Sequence, residues 1–154
     1  MILDLQTMFS GSVSADGVTK TGQAITATAI GANVIDLQQT DALALVGAGY
    51  VVFQVQTAAA GGDAAKTLTL SLESDSTADL ATAPIVHWKS GPITGATLLA
   101  GYIAGCARMP GEGYKRYVGV RYTVSAGFTA FNMLAYLTMS PQRNRVFPGS
   151  FSID

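Results

Sequence analysis

The chain has 154 residues and a mass of 15.9 kDa, the size of one domain with one core, which excludes a two-domain enzyme. Only 12% of residues are charged, against about 25% in an average soluble domain, while 49% are apolar and 17 are glycine. The 9 basic and 10 acidic residues leave a formal charge of −1, so no field steers the chain onto bare nucleic acid or anionic lipid, and neither is an expected partner.

The opening residues Ile2, Leu3, Leu5, Met8 and Phe9 form an apolar head, with Asp4 among them and without the basic start of a secretory signal. Residues 11–18 read as a polar loop, and 24–29 and 33–37 as weak strands. From Ala42 to Phe53 runs an apolar stretch of 12 residues, short of the roughly 18 that suggest a spanning helix, so no membrane span is expected; 43–47 has a short helical turn as its alternative. Val51, Phe53 and Val55 then alternate with Val52, Gln54 and Gln56. After a loop at 58–65, Leu68, Leu70 and Leu72 alternate with Thr69, Ser71 and Glu73, and the two runs predict an antiparallel hairpin.

Asp75 is placed to cap a helical turn within 75–83, and 84–88 and 97–104 are further weak strands. Beyond the turn at 110–113, Val118, Val120, Tyr122 and Val124 share one face, with Tyr117, Gly119, Arg121 and Thr123 on the other. The last run sets Phe131, Met133, Ala135, Leu137 and Met139 opposite Asn132, Leu134, Tyr136 and Thr138, and stops at Pro141. These last two runs are expected to pair as neighbours. About eight short strands predict an all-β fold, a jelly-roll-like antiparallel β-sandwich in a single domain over 1–154. It divides into an N-terminal segment with loop (1–22), the sandwich (23–140) and a C-terminal tail (141–154) carrying Arg143, Arg145, Phe147 and Phe151.

No chemical motif emerges. The run Gly61 Gly62 Asp63 Ala64 Ala65 Lys66 Thr67 lacks the glycine that a Walker loop sets before its lysine, and Gly47 Ala48 Gly49 has Val52 where a dinucleotide fingerprint needs its third glycine. The one Cys, Cys106, excludes an intrachain disulfide framework, and with the one His, His87, is too few for a Cys/His zinc cluster. His87 lies in an apparent strand with no nucleophile elbow nearby, and Cys106 sits among Ala104, Gly105 and Ala107 as a small buried hydrophobe would. The two glutamates, Glu73 and Glu112, read as a strand and a turn residue. Lys115, Arg116 and Arg121 among Tyr114, Tyr117 and Tyr122 suggest either a base-stacking sheet or a salt-bridged subunit contact; the near-zero charge favours the contact. Catalytic, cofactor and metal sites are therefore expected to be absent.

Two stretches carry a resemblance: Gln23 to Ala29 running on through Asn33 to Leu37, and Pro110 Gly111 with Arg116, Tyr117, Tyr122, Val124 and Phe128 Thr129 Ala130. With the opening Met1 Ile2 Leu3 Asp4 and Phe9 Ser10, this ordered set resembles the capsid cement, or decoration, proteins of tailed double-stranded DNA bacteriophages. The resemblance implies a jelly-roll homotrimer on the outer surface of the virion, made in the host cytoplasm, bridging neighbouring major capsid proteins and without enzymatic activity. The chain departs from that pattern in its 11–22 insertion and its long tail. Contacts with the shell or with sister subunits are then expected from Ile2, Leu3, Leu5 and Phe9 in the head, from Arg121, and from Arg143, Arg145, Phe147 and Phe151 in the tail; otherwise head and tail simply cover this chain's own sandwich. The alternative function is a trimeric carbohydrate- or host-receptor-binding β-sandwich of a phage virion, for which Trp88 is the one candidate indole platform.

Overall fold

The computed structural model describes residues 7–14, 19–38, 49–139 and 141. Among them the fold is all-β, two antiparallel sheets packed face to face as a sandwich with a small ribbon on one outer surface. The strands are β1 (Met8–Ser10), β2 (Ser12–Val13), β3 (Lys20–Thr21), β4 (Gln23–Ala24), β5 (Ala29–Ile30), β6 (Ile35–Asp36), β7 (Tyr50–Thr57), β8 (Thr67–Asp75), β9 (Ile85–Lys89), β10 (Ile93–Thr94), β11 (Ile103–Arg108), β12 (Tyr117–Val124) and β13 (Asn132–Thr138). The first sheet runs β1–β13–β7–β11, with β4 also on β13; the second runs β10–β8–β12–β5, with β9 on β8 and β6 on β12.

The period-2 patterns assign the inner faces correctly within the strands; Met139, expected on the face of Phe131 to Leu137, lies past the end of β13 and is exposed. Val51, Phe53 and Val55 of β7, Leu68, Leu70 and Leu72 of β8, Val118, Val120 and Tyr122 of β12, and Met133, Ala135 and Leu137 of β13 meet in one core. Phe53 is its aromatic centre, stacked on Trp88 at 5.6 Å and edge-on to Tyr122 at 6.3 Å. The face-to-face burial of such side chains is the main favourable term in a sandwich of this kind.

The strand pairings differ from expectation. β7 and β8 are not a hairpin but lie in opposite sheets, and so do β12 and β13. Both connections carry the chain across the sandwich: each strand turns its apolar face to the core from the other side, which an alternating pattern permits as readily as a hairpin. The expected strand at 97–104 starts later, as β11, because Gly95–Thr97 forms a 3₁₀ turn. The expected helical turn at 75–83 is a single hydrogen-bonded turn, Leu80 N–H to Thr77 O at 3.2 Å, set among bends and not continued as a helix. The 24–29 strand is two short pieces, β4 and β5. The helical turn expected at 43–47 lies outside the described residues.

The sandwich also begins earlier than residue 23. β1 pairs with β13, and Phe9 is fully buried in the core. Phe9 is therefore not an outward contact: a side chain with no accessible surface has none to offer a partner.

Candidate functional site

The middle of the outer face of the second sheet is covered by the chain itself. Gly119 of β12 leaves a flat seat there, and the loop at 76–84 places Leu80 on it, so close that a Cβ at 119 would lie 2.8 Å from a Leu80 methyl carbon. Leu80 adopts a φ of 50°, unusual for a branched side chain, and is held by what surrounds it. Arg121 donates to the Leu80 carbonyl at 2.6 Å and to Glu73 at 2.8 Å, and Glu73 also accepts the Ser71 hydroxyl at 2.6 Å.

A second anchor lies at the end of β8. Burial would raise the Asp75 carboxyl above its ordinary range, but backbone N–H groups of Ala83, Ser76 and Thr82 all donate to it and the net shift is downward. Lys115 stands 3.7 Å from Asp75 and donates to the Ala83 carbonyl. The Ser74 hydroxyl accepts the Lys115 N–H at 2.9 Å and pairs with Nε2 of His87 at 2.7 Å, while the His87 ring stacks on Tyr114 at 4.0 Å. Burial pushes the Tyr114 phenol up to about 12.

Two further ion pairs tie down other corners. Arg116 grips Asp36 through two bonds of 2.8 Å and lies over the Tyr117 ring; the bond from Arg116 holds the Asp36 carboxyl below its usual range and raises the guanidinium in turn. Buried Asp63 binds Lys66 at 2.6 Å and the Thr129 N–H at 2.7 Å, which lowers its pKa, and so joins the loop before β8 to the turn before β13.

These geometries redistribute the candidates. Lys115, Arg116 and Arg121, expected to mark a subunit contact, each neutralise an acid of their own chain. Tyr114 and Tyr122 are fully buried, and Tyr122 bonds Ser10 at 2.6 Å, so neither is a stacking platform for bases. Ser74 beside His87 has the atoms of a nucleophile–base pair, but Ser74 is fully buried and no substrate atom can reach it. Cys106, expected as a small buried hydrophobe, is exposed: it points outward from β11, while Gly105 faces the core, where a Cβ would lie 2.9 Å from the Trp88 ring. Glu73 is buried and Glu112 exposed, with no arrangement joining them. Among the described residues no group of three or more His, Cys, Asp or Glu is placed to hold a metal ion, and no helix is long and apolar enough to cross a membrane. Ile2, Leu3, Leu5, Arg143, Arg145, Phe147 and Phe151 lie outside the described residues.

The feature that sequence reasoning missed is a side of the sandwich. The edges β9 and β11 each pair on one flank only and lie next to each other, bridged by Trp88, which is half-buried against Phe53 and Gly105. Along this side lie Ile85, Val86, Leu99 and Tyr102, four of the five large hydrophobics that are exposed among the described residues. The signal was present: 81–86 and 99–102 are runs without charge. An apolar run beside a strand reads equally as core, and only the topology shows which strands are edges.

Fold and surface together define an antiparallel β-sandwich with an internally satisfied polar face and, among the described residues, an uncovered apolar side. The sequence profile of the Bbp16 family matches residues 19–137, most of the chain, and the chain belongs to that family. No curated protein matches it.

Proposed function

We propose that the protein is a capsid cement protein of a tailed bacteriophage, a homotrimer that binds the outside of the head and bridges neighbouring major capsid proteins, with no enzymatic activity. Membership of the Bbp16 family supports the phage setting, since the name suggests a phage protein. The observation that carries the structural role is the contrast between charge and apolar surface: Lys66, Lys115, Arg116 and Arg121 are all satisfied within the chain, while the exposed large hydrophobics gather along one side. A protein that sits permanently against neighbours gains from such a surface, because isolated charges would have to be desolvated at the contact.

The mechanism is mechanical. A packaged genome presses the shell outward, and seams resist best when many small bridges each bury surface on two capsomers. Three linked weak contacts act at high effective concentration, so no single tight site is needed. A two-sheet body stitched across its core by aromatic stacking and by the Ser10–Tyr122 hydrogen bond transmits load without opening.

The carbohydrate-binding alternative is less favoured, since one face of Trp88 is taken up by Phe53 and the indole is half-buried. The deciding experiment is a reconstruction of purified particles with and without the protein, coupled to a heat challenge of the heads. Density on the outer surface at local threefold positions, and earlier rupture of heads lacking it, are the expected results. Density confined to a tail or fibre, or heads equally stable without it, overturns the reading.

A further inference from the structure

The open side ends in two exposed strips that carry no charge. At one end residues 81–86, Ala-Thr-Ala-Pro-Ile-Val, are all exposed as the chain passes from the anchored loop into β9. At the other, residues 99–102, Leu-Ala-Gly-Tyr, are all exposed on the way into β11. β8 sets the separation. Ile85 pairs with Ser74 near its C-terminal end, whereas Thr94 pairs with Thr67 at its start and the Gly95 N–H bonds Lys66 there. Nine strand residues rising ~3.3 Å each place the strips roughly 25 Å apart.

Both strips are held from beneath. Asp75 and Lys115 fix the first through Thr82 and Ala83, and reciprocal bonds with Val55 fix the second: Gly101 N–H to Val55 O and Val55 N–H to Tyr102 O, each 2.9 Å. Exposed apolar side chains on a pre-ordered backbone lose little entropy when covered, which favours association over solvation.

We propose that this side is where copies of the chain meet, head to tail, with 81–86 of one subunit seated on 99–102 of the next. This rests on the homotrimeric reading above and names the surface that closes the ring. A second copy is the fitting occupant because each strip supplies what the other lacks a cover for: an uncharged apolar surface, whose adjoining cation on the first strip, Lys115, already pairs with buried Asp75. The position of Lys89 decides the symmetry. It pairs with Ser71, midway along β8, and is exposed. A two-fold contact laying each strip on the other would be centred there and bring two ammonium groups together; a ring joins unlike ends and keeps them apart. The register shift in the β8–β9 pairing and Lys89 itself also discourage continuation of the sheet from copy to copy, so the contact is side-chain burial.

The test uses the full-length protein in sedimentation and light scattering, with Val86→Lys, Leu99→Lys and, as a control on the exposed outer face of β12, Thr123→Lys. The wild type and the control should run as trimers, and the two strip variants as monomers with an unchanged β-sheet circular dichroism spectrum, reflecting association weakened at least about tenfold. Combining Val86→Lys and Leu99→Glu in one chain should restore assembly, because every contact of the ring then sets the new lysine against the new glutamate. A monomeric wild type, or folded strip variants of wild-type mass, overturns the proposal. Co-sedimentation with undecorated heads is read separately. Heads that bind a wild type whose oligomer ignores both variants leave the cement reading standing and sink this interface; a responsive trimer that never binds heads does the reverse.

Discussion

One long side of the sandwich is closed by its own chain and the other is left open. On the closed side the segment from β4 to β6 passes from sheet to sheet: Ile25 N–H bonds Phe131 O in the first, Gly31 N–H bonds Val120 O in the second, and Asn33 N–H bonds Phe9 O on β1. Gln23 brackets the crossing, donating to Ile30 O and accepting from the Ala32 N–H, and Ser10 meets Tyr122 across the core. The edge groups there find partners, as buried backbone requires. On the open side, among the described residues, Trp88 bridges β9 and β11, and their flanks carry exposed aliphatic and aromatic groups. The difference teaches where specificity can reside: a side whose hydrogen bonds are spent internally has little left to recognise, and the proposed contact uses the side left uncovered.

Damage to the closed side should therefore be damage to folding. Phe9→Ala removes a fully buried ring that both sheets pack upon, and should cost about 3–5 kcal/mol, read as a fall of roughly 10 °C in melting temperature. A variant that melts like wild type but loses partner binding would return Phe9 to the outward role the sequence suggested. Gly31→Ala is next. Its Cβ would lie 2.5 Å from the Phe9 carbonyl oxygen, a backbone atom that cannot swing aside, so a loss of up to about 3 kcal/mol in urea unfolding is expected.

The contrast between the sides was only partly legible in the sequence. Alternation in β7, β8, β12 and β13 shows which residues face inward, because a side-chain period of two is a local property. It is silent on partners: Leu68 to Leu72 would bury their side chains equally well beside Val51 to Val55 in one sheet or across from them in two. A two-residue Asn-Gly or Asp-Gly turn would have specified a hairpin, but both crossings are longer. Cys106 and Gly105 show the same limit at residue scale, since small neighbours suggest burial for both and the Trp88 ring requires it only of Gly105. Likewise the cations of β12 and the residues before it give no sign in sequence that Asp36, Glu73 and Asp75 lie beside them.

A smaller effect is expected from Trp88→Ala. The indole is half-buried and stacks on Phe53, so its loss should cost about 2 kcal/mol, less than Phe9, while raising the binding of a hydrophobic dye as the two edges part. Equal destabilisation by both substitutions would mean that the open side is as integral to folding as the closed one.

The smallest effect distinguishes the sides by pH. Asp75 has a folded pKa below its ordinary value of 3.8, so the stability it contributes is fully present above that value and is lost as pH falls through the lower, folded one. What it holds is local: the N–H groups of Ser76, Thr82 and Ala83, hence the strip beside β9. The crossing on the closed side relies on Gln23, Asn33 and backbone groups that do not titrate, and on Tyr122, whose phenol burial raises away from acid; Asp36, which Arg116 also holds below its ordinary value, lies past the crossing on β6. Hydrogen exchange, corrected for intrinsic rates, should accordingly show Thr82 and Ala83 losing protection as pH drops below 3.8 while Gly31 and Asn33 keep theirs. In Asp75→Asn the first pair should be poorly protected at neutral pH and nearly indifferent to acid. Simultaneous loss at both places would make Asp75 a support of the whole sandwich and remove the independence of the open side.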